Sequence, residues 1–260
     1  MRSAGRVLGA AALLVAGSLG AQQARHRPPC SATERLEGGW CYPPTPAVAD
    51  RPSAERRPRP AARPARGPLE ILIRGGTVMG VQIVPFFIDR TEVTVAAYRA
   101  CTSCTTPNTD ERPCNWGRSG RDNHPINCVD AMQADAYCAW RGGRLPTQQE
   151  WQLAAQGEEG REYPWGDAEP STQLCWSGVR TRTGTCVVGS FPSGRSPFGL
   201  EDMSGNVGEW TSSSENSFRY YRGGCWNDSD PDGLRMNYLI GTAPSDRSSG
   251  VGFRCARGAP

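Results

Sequence analysis

A single cysteine stands in a turn-rich segment whose letters are RGGCWNDSDPDGLR. Cys225 is followed by carboxylates at alternate positions, Asp228, Asp230 and Asp232. A thiol can serve as a nucleophile, and spaced carboxylates can bind a metal or act as a glycosidase pair. Between Ser, Pro and Gly, however, such carboxylates more often form turns. The thiol is a catalyst, half of a disulfide or a buried bystander, and these residues alone leave all three open.

The chain has 11 cysteines, so at least one is unpaired. Residues 1–21 show a charged start, an apolar run over Val7–Leu19 and then small residues, which predicts a signal peptide too short to span a bilayer. We expect a secreted or periplasmic protein without a transmembrane segment in the mature chain, and disulfides persist in such compartments. Short intervals suggest four bridges, Cys30–Cys41, Cys101–Cys104, Cys114–Cys128 and Cys175–Cys186.

A zinc site is the alternative for Cys101, Cys104, Cys114 and Cys128, because the first two form a C-x-x-C pair. Export favours disulfides here as well.

Charge is divided unevenly along the chain. Residues 1–67 contain 11 Arg and 4 acidic residues, whereas residues 68–260 contain 18 Arg and 22 acidic residues, and the chain has no Lys. The mildly acidic second part argues against a nucleic-acid partner. Residues 22–42 predict a small loop closed by Cys30 and Cys41, and residues 43–68, rich in Pro, Arg and Ala, predict an extended linker.

Residues 69–260 carry the elements that must position Cys225. Apolar residues predict strands at 71–73 and 78–84, interrupted at Gly75-Gly76 and Gly80. Capping residues Thr94, Asp130 and Thr147 predict three helices, over Val95–Ala100, Ala131–Trp140 and Gln148–Ala155. No helix is predicted after Gly157. With eight tryptophans and 31 glycines, the pattern predicts an α+β fold rich in irregular structure.

Six segments form an ordered set of motifs. They are FFIDRTEVTVAAY (86–98), HPINCVDAMQADAYCAWRGGRLPTQQEWQLAA (124–155), YPWGD (163–167), FGLEDMSGNVGEW (198–210), YRGGCW (221–226) and GFRCA (252–256). In the same order they resemble the signatures of the formylglycine-generating enzyme family, also called sulfatase-modifying factors, and the resemblance covers residues 70–258. The resemblance implies a variant of the C-type-lectin-like fold.

The resemblance also implies an oxidase site, from which this sequence departs. Enzymes of the family oxidise a sulfatase cysteine to formylglycine with molecular oxygen and a copper ion that two cysteines hold. Those two positions correspond to Asp228 and Gly233, and Cys225 falls where the enzymes carry serine. Gly208 replaces a pocket tryptophan, and Leu239 replaces an arginine. Because Cu(I) selects soft thiolates, copper is not expected.

A calcium site is implied by the match to DMSGNVGEW, with side-chain oxygens of Asp202 and Glu209 and backbone carbonyls of Gly205 and Val207. Hard oxygens on a flexible loop suit Ca²⁺. The alternative is that Asp202 and Glu209 cap local turns. A second family calcium site is not supported, because Leu174 stands where an asparagine is expected.

The family commonly joins the cysteines that match Cys138 and Cys255. Its other common bridge falls at Ala155 and Met236, so both halves are lost together. If these pairings and the short-interval ones form, Cys225 is the thiol left over. Activating it would need a nearby positive charge, which Arg222 supplies only if its side chain points inward.

The preferred hypothesis is a non-oxidising binding module that holds a peptide, a glycan or an envelope component in the family's cleft. The alternative is a divergent oxidase, either a formylglycine generator acting on sulfatase cysteines or an enzyme of a related oxidation that uses Cys225. Only His26 and His124 are present, so a histidine metal cluster is not indicated, and His124 is assigned no chemistry because His-Pro belongs to the family's structural motif.

Overall fold

The computed structural model describes residues 69–107, 109 and 113–260, together with the backbone of two short strands before them. The chain divides into two units, Met1–Glu55 and Arg56–Pro260. In the first unit, strands β1 (Arg35–Glu37) and β2 (Trp40–Tyr42) form an antiparallel pair. The predicted signal peptide, the Cys30–Cys41 bridge and the linker lie outside the described residues.

One sheet of the second unit contains three antiparallel strands in the order β11-β6-β3. They are β3 (Glu70–Ile73), β6 (Phe86–Asp89) and β11 (Ala256–Gly258). A separate hairpin joins β4 (Gly76–Val78) to β5 (Val81–Ile83). Gly75 precedes it with φ of 85°, and a Cβ there would lie 2.4 Å from the carbonyl oxygen of Ile83, so only glycine fits.

The other sheet contains four strands in the order β10-β7-β8-β9. They are β7 (Gly208–Glu215), β8 (Phe218–Arg222), β9 (Ile240–Thr242) and β10 (Val251–Gly252). Strand β10 runs parallel to β7, whereas the β7–β8 and β8–β9 pairs are antiparallel. Glu209 on β7 and Arg254 just after β10 therefore lie at one end of this sheet.

The three predicted helices are present, as α1 (Val95–Arg99), α2 (Ala131–Trp140) and α3 (Gln148–Gln156). Capping boxes begin α2 and α3, with Asp130 and Thr147 as the capping residues, as predicted. Helix α1 ends one residue earlier than expected and α3 one residue later, where Gly157 adopts φ of 73°. Beyond Gly157 the described residues contain no α-helix, and their only helical elements are two short 3-10 turns, Pro192–Gly194 and Pro231–Leu234.

Aromatic side chains form much of the core. The rings of Tyr98 and Tyr137 stack with centroids 5.4 Å apart, and Phe253 packs edge-on against both. A second buried cluster contains Ala155 and Met236, the positions of the family bridge that is lost here. Apolar packing therefore occupies the place where that disulfide would lie.

Four disulfides are present among the described residues, and each was predicted. They are Cys101–Cys104, Cys114–Cys128, Cys138–Cys255 and Cys175–Cys186. The Cys138–Cys255 bridge joins residues 117 apart in sequence, which in the chain-entropy model stabilises the fold by about 4–5 kcal/mol at most. Cys225 is the one free cysteine of the described residues. In the same residues, no helix combines the length and hydrophobicity that crossing a membrane requires.

Candidate functional site

The residues around Cys225 fold into a tight turn that the carboxylate of Asp228 closes. Asp228 Oδ2 accepts the backbone N–H of Cys225 at 2.7 Å, and the N–H of Asp228 donates to the Cys225 carbonyl at 3.2 Å. Gly224 precedes the turn with φ of 64°, and a Cβ there would lie 2.7 Å from Leu234 Cδ2 and 2.8 Å from the carbonyl oxygen of Gly233. Glycine at position 224 therefore lets the two ends of the loop pack together.

The thiol of Cys225 is half-buried and lies among polar neighbours. Its Sγ donates to Asn227 Oδ1 at 2.9 Å, and Gly250 lies so close that a Cβ there would be 2.9 Å from Sγ. Burial, assisted by the negative charge of Asp228, raises the pKa of Cys225 to about 12. Because the thiolate is the nucleophile, this environment disfavours a reactive cysteine.

The guanidinium of Arg222 is engaged away from the thiol. Its Nη1 donates to Gln152 Oε1 at 3.0 Å, its Nη2 donates to the Met236 carbonyl at 2.7 Å, and it lies over the Trp151 ring. Burial lowers the pKa of Arg222 to about 10. Arg222 thus contributes to the core rather than to activation of Cys225.

The two positions that match the family's copper ligands lie side by side. A Cβ at Gly233 would be 3.8 Å from Asp228 Oδ2, and Asp228 is bonded to the Cys225 backbone. The site thus offers one carboxylate, one neighbouring thiol and no side chain at Gly233, where the family has two cysteines. A hard carboxylate oxygen does not replace a soft thiolate for Cu(I).

Turn formation accounts for the next two carboxylates. Asp230 Oδ1 accepts the N–H of Asp232 at 3.0 Å and so caps the 3-10 turn over Pro231–Leu234. Asp232 Oδ1 accepts from Arg235 Nε at 2.9 Å. Neither contact resembles the facing carboxyl pair that a glycosidase requires.

The space beside Gly208 is filled by Tyr221. A Cβ at Gly208 would lie 2.8 Å from Tyr221 Cδ2, and the Tyr221 ring packs edge-on against Trp210 at 5.6 Å. Burial, and after it the neighbouring acidic groups of Cys225 and Asp228, raises the pKa of Tyr221 to about 12. The family's tryptophan at this position would clash with the Tyr221 ring. The position of Tyr221 therefore requires a residue without a side chain at 208. Leu239, which replaces the family's arginine, is half-buried just before β9.

A buried acidic cluster, which we define as Glu92, Asp202 and Glu209 with Arg254, lies at the end of the four-stranded sheet. Arg254 forms two hydrogen bonds of 2.7 Å to the Glu209 carboxylate, from Nε to Oε2 and from Nη2 to Oε1. Trp151 Nε1 also donates to Glu209 Oε2 at 2.7 Å. Glu209, expected as a calcium ligand, is therefore engaged by protein donors, although Oε1 keeps acceptor capacity.

Glu92 is fully buried, and its Oε2 has no hydrogen-bond partner. Asn206 Nδ2 donates to the other oxygen, Oε1, at 2.9 Å. Burial and the charge of Asp202 raise the pKa of Glu92 well above its ordinary value. Burial also raises the pKa of Asp202 to about 6, while the N–H of Gly189 donates to its Oδ2 at 2.5 Å. Three carboxylates share one guanidinium, so the acidic cluster is short of positive charge.

A calcium ion suits the composition of the acidic cluster. The unpartnered Glu92 oxygen and Asp202 are hard donors, and the predicted carbonyl ligands Gly205 and Val207 belong to the same buried loop. Within the described part of the chain, no three His, Cys, Asp or Glu side chains are arranged to hold a metal. An ion in the acidic cluster would therefore depend on backbone carbonyls as well.

The region of the family's second calcium site is built differently. Leu174 is buried with Tyr163 and Trp176 in an apolar cluster, and the neighbouring Cys175 is bonded to Cys186. The Asn206 side chain accepts the N–H of Cys186 at 2.9 Å. A disulfide thus holds this loop.

His124 contacts Arg121, which lies three residues earlier in the chain. Its ring nitrogen Nδ1 lies 2.9 Å from Thr185 Oγ1 and 3.1 Å from Arg121 Nη1. Burial, and after it the charge of Arg121, lowers the pKa of His124, so the ring is neutral near pH 7. These contacts fix the loop and do not by themselves form a catalytic site.

Sequence reasoning did not identify Glu92, Arg254 or Tyr221 as parts of a site. Glu92 and Arg254 are charged residues flanked by apolar ones, at Val93 and Phe253, which was an available signal that they are buried. The position of Tyr221 had no such signal.

Comparisons with known proteins agree with this architecture. The sulfatase-modifying factor enzyme 1-like domain family matches residues 57–259. Inactive C-alpha-formylglycine-generating enzyme 2 of Bos taurus is 38% identical over 154 residues, which are 52% of this chain and 50% of that protein. The chain thus spans about half the length of this relative. Formylglycine-generating enzyme of Streptomyces coelicolor is 29% identical over 305 residues, covering 82% of this chain and 96% of the enzyme.

Two solved structures share the fold. PvdO from Pseudomonas aeruginosa superposes with a TM-score of 0.58 and 26% identity, covering 68% of this chain and 82% of PvdO. CarF superposes with a TM-score of 0.59 and 24% identity, covering 75% and 99%. The fold is therefore the expected α+β, C-type-lectin-like fold of the formylglycine-generating enzyme type. The family match spans most of the chain, and this protein belongs to the sulfatase-modifying factor, or formylglycine-generating enzyme, family.

Proposed function

We propose that this chain is a non-oxidising binding module, a pseudoenzyme of its family, whose cleft around Cys225 holds a peptide, a glycan or an envelope component. The observation that carries the proposal is the adjacency of Asp228 and Gly233 beside a single thiol. Two thiolates are what a Cu(I) centre needs, and here neither ligand position has one.

Two further features support a binding role. The thiol sits among Asn227, Gly250 and Asp228 with a pKa raised to about 12, which suits a packed group. One relative is named an inactive formylglycine-generating enzyme. The alternative, a divergent oxidase, is favoured by the match of 95 residues, at 42% identity, to hercynine oxygenase of Mycolicibacterium smegmatis, although the matched segment is 22% of that enzyme.

The decisive experiment combines a copper titration with a peptide assay. We expect the wild-type protein to bind no Cu(I) through a thiolate pair and to leave a cysteine-containing sulfatase peptide unchanged under air. The matched variant Asp228→Cys with Gly233→Cys places thiols at both positions, and a Cβ at 233 meets nothing closer than 3.8 Å. We expect this variant to bind Cu(I). Copper-dependent loss of the peptide thiol with aldehyde formation by the wild type would overturn the proposal.

Ligand binding is tested directly on peptide and glycan arrays. Asn227 is exposed beside the thiol, so Asn227→Arg alters the cleft without removing a core contact. We expect wild-type signals that this variant loses. Arrays on which the wild type gives no signal above the variant contradict a binding cleft.

Calcium is proposed as a structural ion of the acidic cluster. The ligands would be Asp202 and Glu209 with the carbonyls of Gly205 and Val207, and the structure adds the unpartnered oxygen of Glu92. Bound there, the ion would neutralise buried carboxylates and hold the loop, without a chemical step.

An exported location, secreted or periplasmic, is likewise proposed. Four disulfides among the described residues are typical of proteins from oxidising compartments outside the cytoplasm. Identification of the mature N-terminus and the cell fraction tests this location.

A further inference from the structure

We propose that a groove rich in arginine binds a tetrahedral oxyanion, either free sulfate or phosphate or a sulfate or phosphate monoester. The groove has a volume of about 310 Å³ and lies between the turn that carries Arg121 and the loop 180–185. We call it the arginine groove. Apart from one glycine, its lining residues carry guanidinium or hydroxyl groups, namely Arg121, Arg180, Arg182, Thr181, Thr183 and Thr185.

The first argument is charge. Arg121, Arg180 and Arg182 each make no ion pair with a carboxylate of the described residues, whereas most other arginines in this part of the chain do. The positive charge of Arg180 acts unfavourably on Arg182, whose pKa is lowered by burial and by that neighbour. A negatively charged oxyanion would offset this repulsion, and guanidinium groups are the protein donors best matched to such oxyanions.

The second argument is that two of the arginines are already fixed in place. Arg182 Nε donates to the Trp176 carbonyl at 2.8 Å, and its guanidinium lies 5.5 Å from the centre of the Phe191 ring. Arg121 Nη1 contacts His124 at 3.1 Å and the Thr185 carbonyl at 3.4 Å. Ordered side chains lose little entropy on binding, so a small ion can be held by few contacts.

The third argument is the anchoring of the loop. The Cys175–Cys186 disulfide closes it, and the N–H of Arg182 donates to Ser177 Oγ at 3.1 Å. Ser177 Oγ in turn donates to the Trp226 carbonyl at 2.9 Å, and the backbone N–H of Ser177 donates to the Asp228 carbonyl. The arginine groove is thus rigidly connected to the turn around Cys225, but its chemistry holds whether or not that turn binds a ligand.

Isothermal titration calorimetry of the full chain tests the proposal, with sulfate, phosphate and a monosaccharide 6-sulfate as ligands at constant ionic strength in chloride. We expect the dissociation constant of sulfate or of phosphate to be at least about tenfold lower than that of chloride. Tighter binding of the sugar sulfate than of free sulfate would identify an ester as the ligand, whereas equal or weaker binding would identify the free ion.

Two variants assign the binding to the arginine groove. Arg180 is exposed and makes no hydrogen bond to a described residue, so Arg180→Gln leaves the fold intact. It should weaken binding about tenfold, the usual effect of losing a charge-assisted hydrogen bond. Arg74→Gln, at an exposed position that does not line the groove, makes the same change in net charge and should have no effect. No preference for sulfate or phosphate over chloride, or equal weakening by both variants, would overturn the proposal.

Discussion

The acidic cluster and the turn around Cys225 use carboxylates in opposite ways. In the acidic cluster, Glu209 meets Arg254 and Trp151 across 45 and 58 residues of sequence, and each of these side chains is buried. In the turn, Asp228 bonds a backbone N–H three residues away and is half-buried. The acidic cluster therefore depends on the whole fold, whereas the turn depends on local geometry.

This difference explains which residues of the chain match the family motifs and which do not. A buried ion pair cannot lose one partner without leaving the other charge in an apolar surrounding. A surface turn tolerates replacement, because its backbone needs only a suitable acceptor and glycines at the right positions. The buried residues Glu209 and Arg254 thus match the family motifs, while the copper-ligand positions 228 and 233 do not.

The largest expected effect is on the acidic cluster. Arg254→Met should lower the free energy of unfolding by about 3–5 kcal/mol, because it leaves Glu209 buried without its partner. Urea denaturation measures this loss. The control is Arg161→Met, since the Arg161–Glu159 pair is largely exposed and its loss should cost less than about 1 kcal/mol. Similar losses for both variants would mean that the two ion pairs do not differ as described.

Calcium should give the second largest effect. At a concentration 100 times its dissociation constant, an ion that binds only the folded state adds about 2.7 kcal/mol, which raises the melting temperature. Asp202→Asn and Glu92→Gln should each diminish the rise, and Glu209→Gln should abolish it. Asp230→Asn, outside the acidic cluster, should leave it unchanged. Identical melting curves in calcium and in chelator would remove the ion from the acidic cluster.

A smaller effect is expected in the turn. Asp228→Ala removes the acceptor of the Cys225 N–H, a contact similar to a helix cap, and should lower the free energy of unfolding by about 1 kcal/mol. The same denaturation measurement gives the value. A loss as large as that of Arg254→Met would show that the turn is as strongly tied to the fold as the acidic cluster is.

The last and smallest expected effect is chemical and concerns the reactivity of the Cys225 thiol. Because the pKa of Cys225 is raised to about 12, its alkylation at pH 8 should be slow and should rise about tenfold per pH unit without a plateau below pH 10. Peptide mapping after alkylation measures the rate, and the unfolded protein is the control. Rapid labelling of the native protein at pH 7 would indicate an activated cysteine.

Local chemistry let the sequence predict much of the fold. Capping by Asp130 and Thr147 acts over three residues, so α2 and α3 could be located from the letters alone. Three of the observed disulfides close short intervals, and the resemblance to the family supplied Cys138–Cys255. With these pairs formed, Cys225 is the one free thiol of the described residues, as expected.

Tertiary structure alone decided which distant side chains meet. Glu92 approaches Asn206 across 114 residues, and the Arg254 guanidinium reaches the Asp89 carbonyl across 165. Likewise, Arg121 lines one groove with Arg180 and Arg182 only because two loops fold together. Helix caps and short disulfides depend on neighbours along the chain. Charge balance in a buried cluster or a groove depends on every segment that packs there, and no local pattern records that packing.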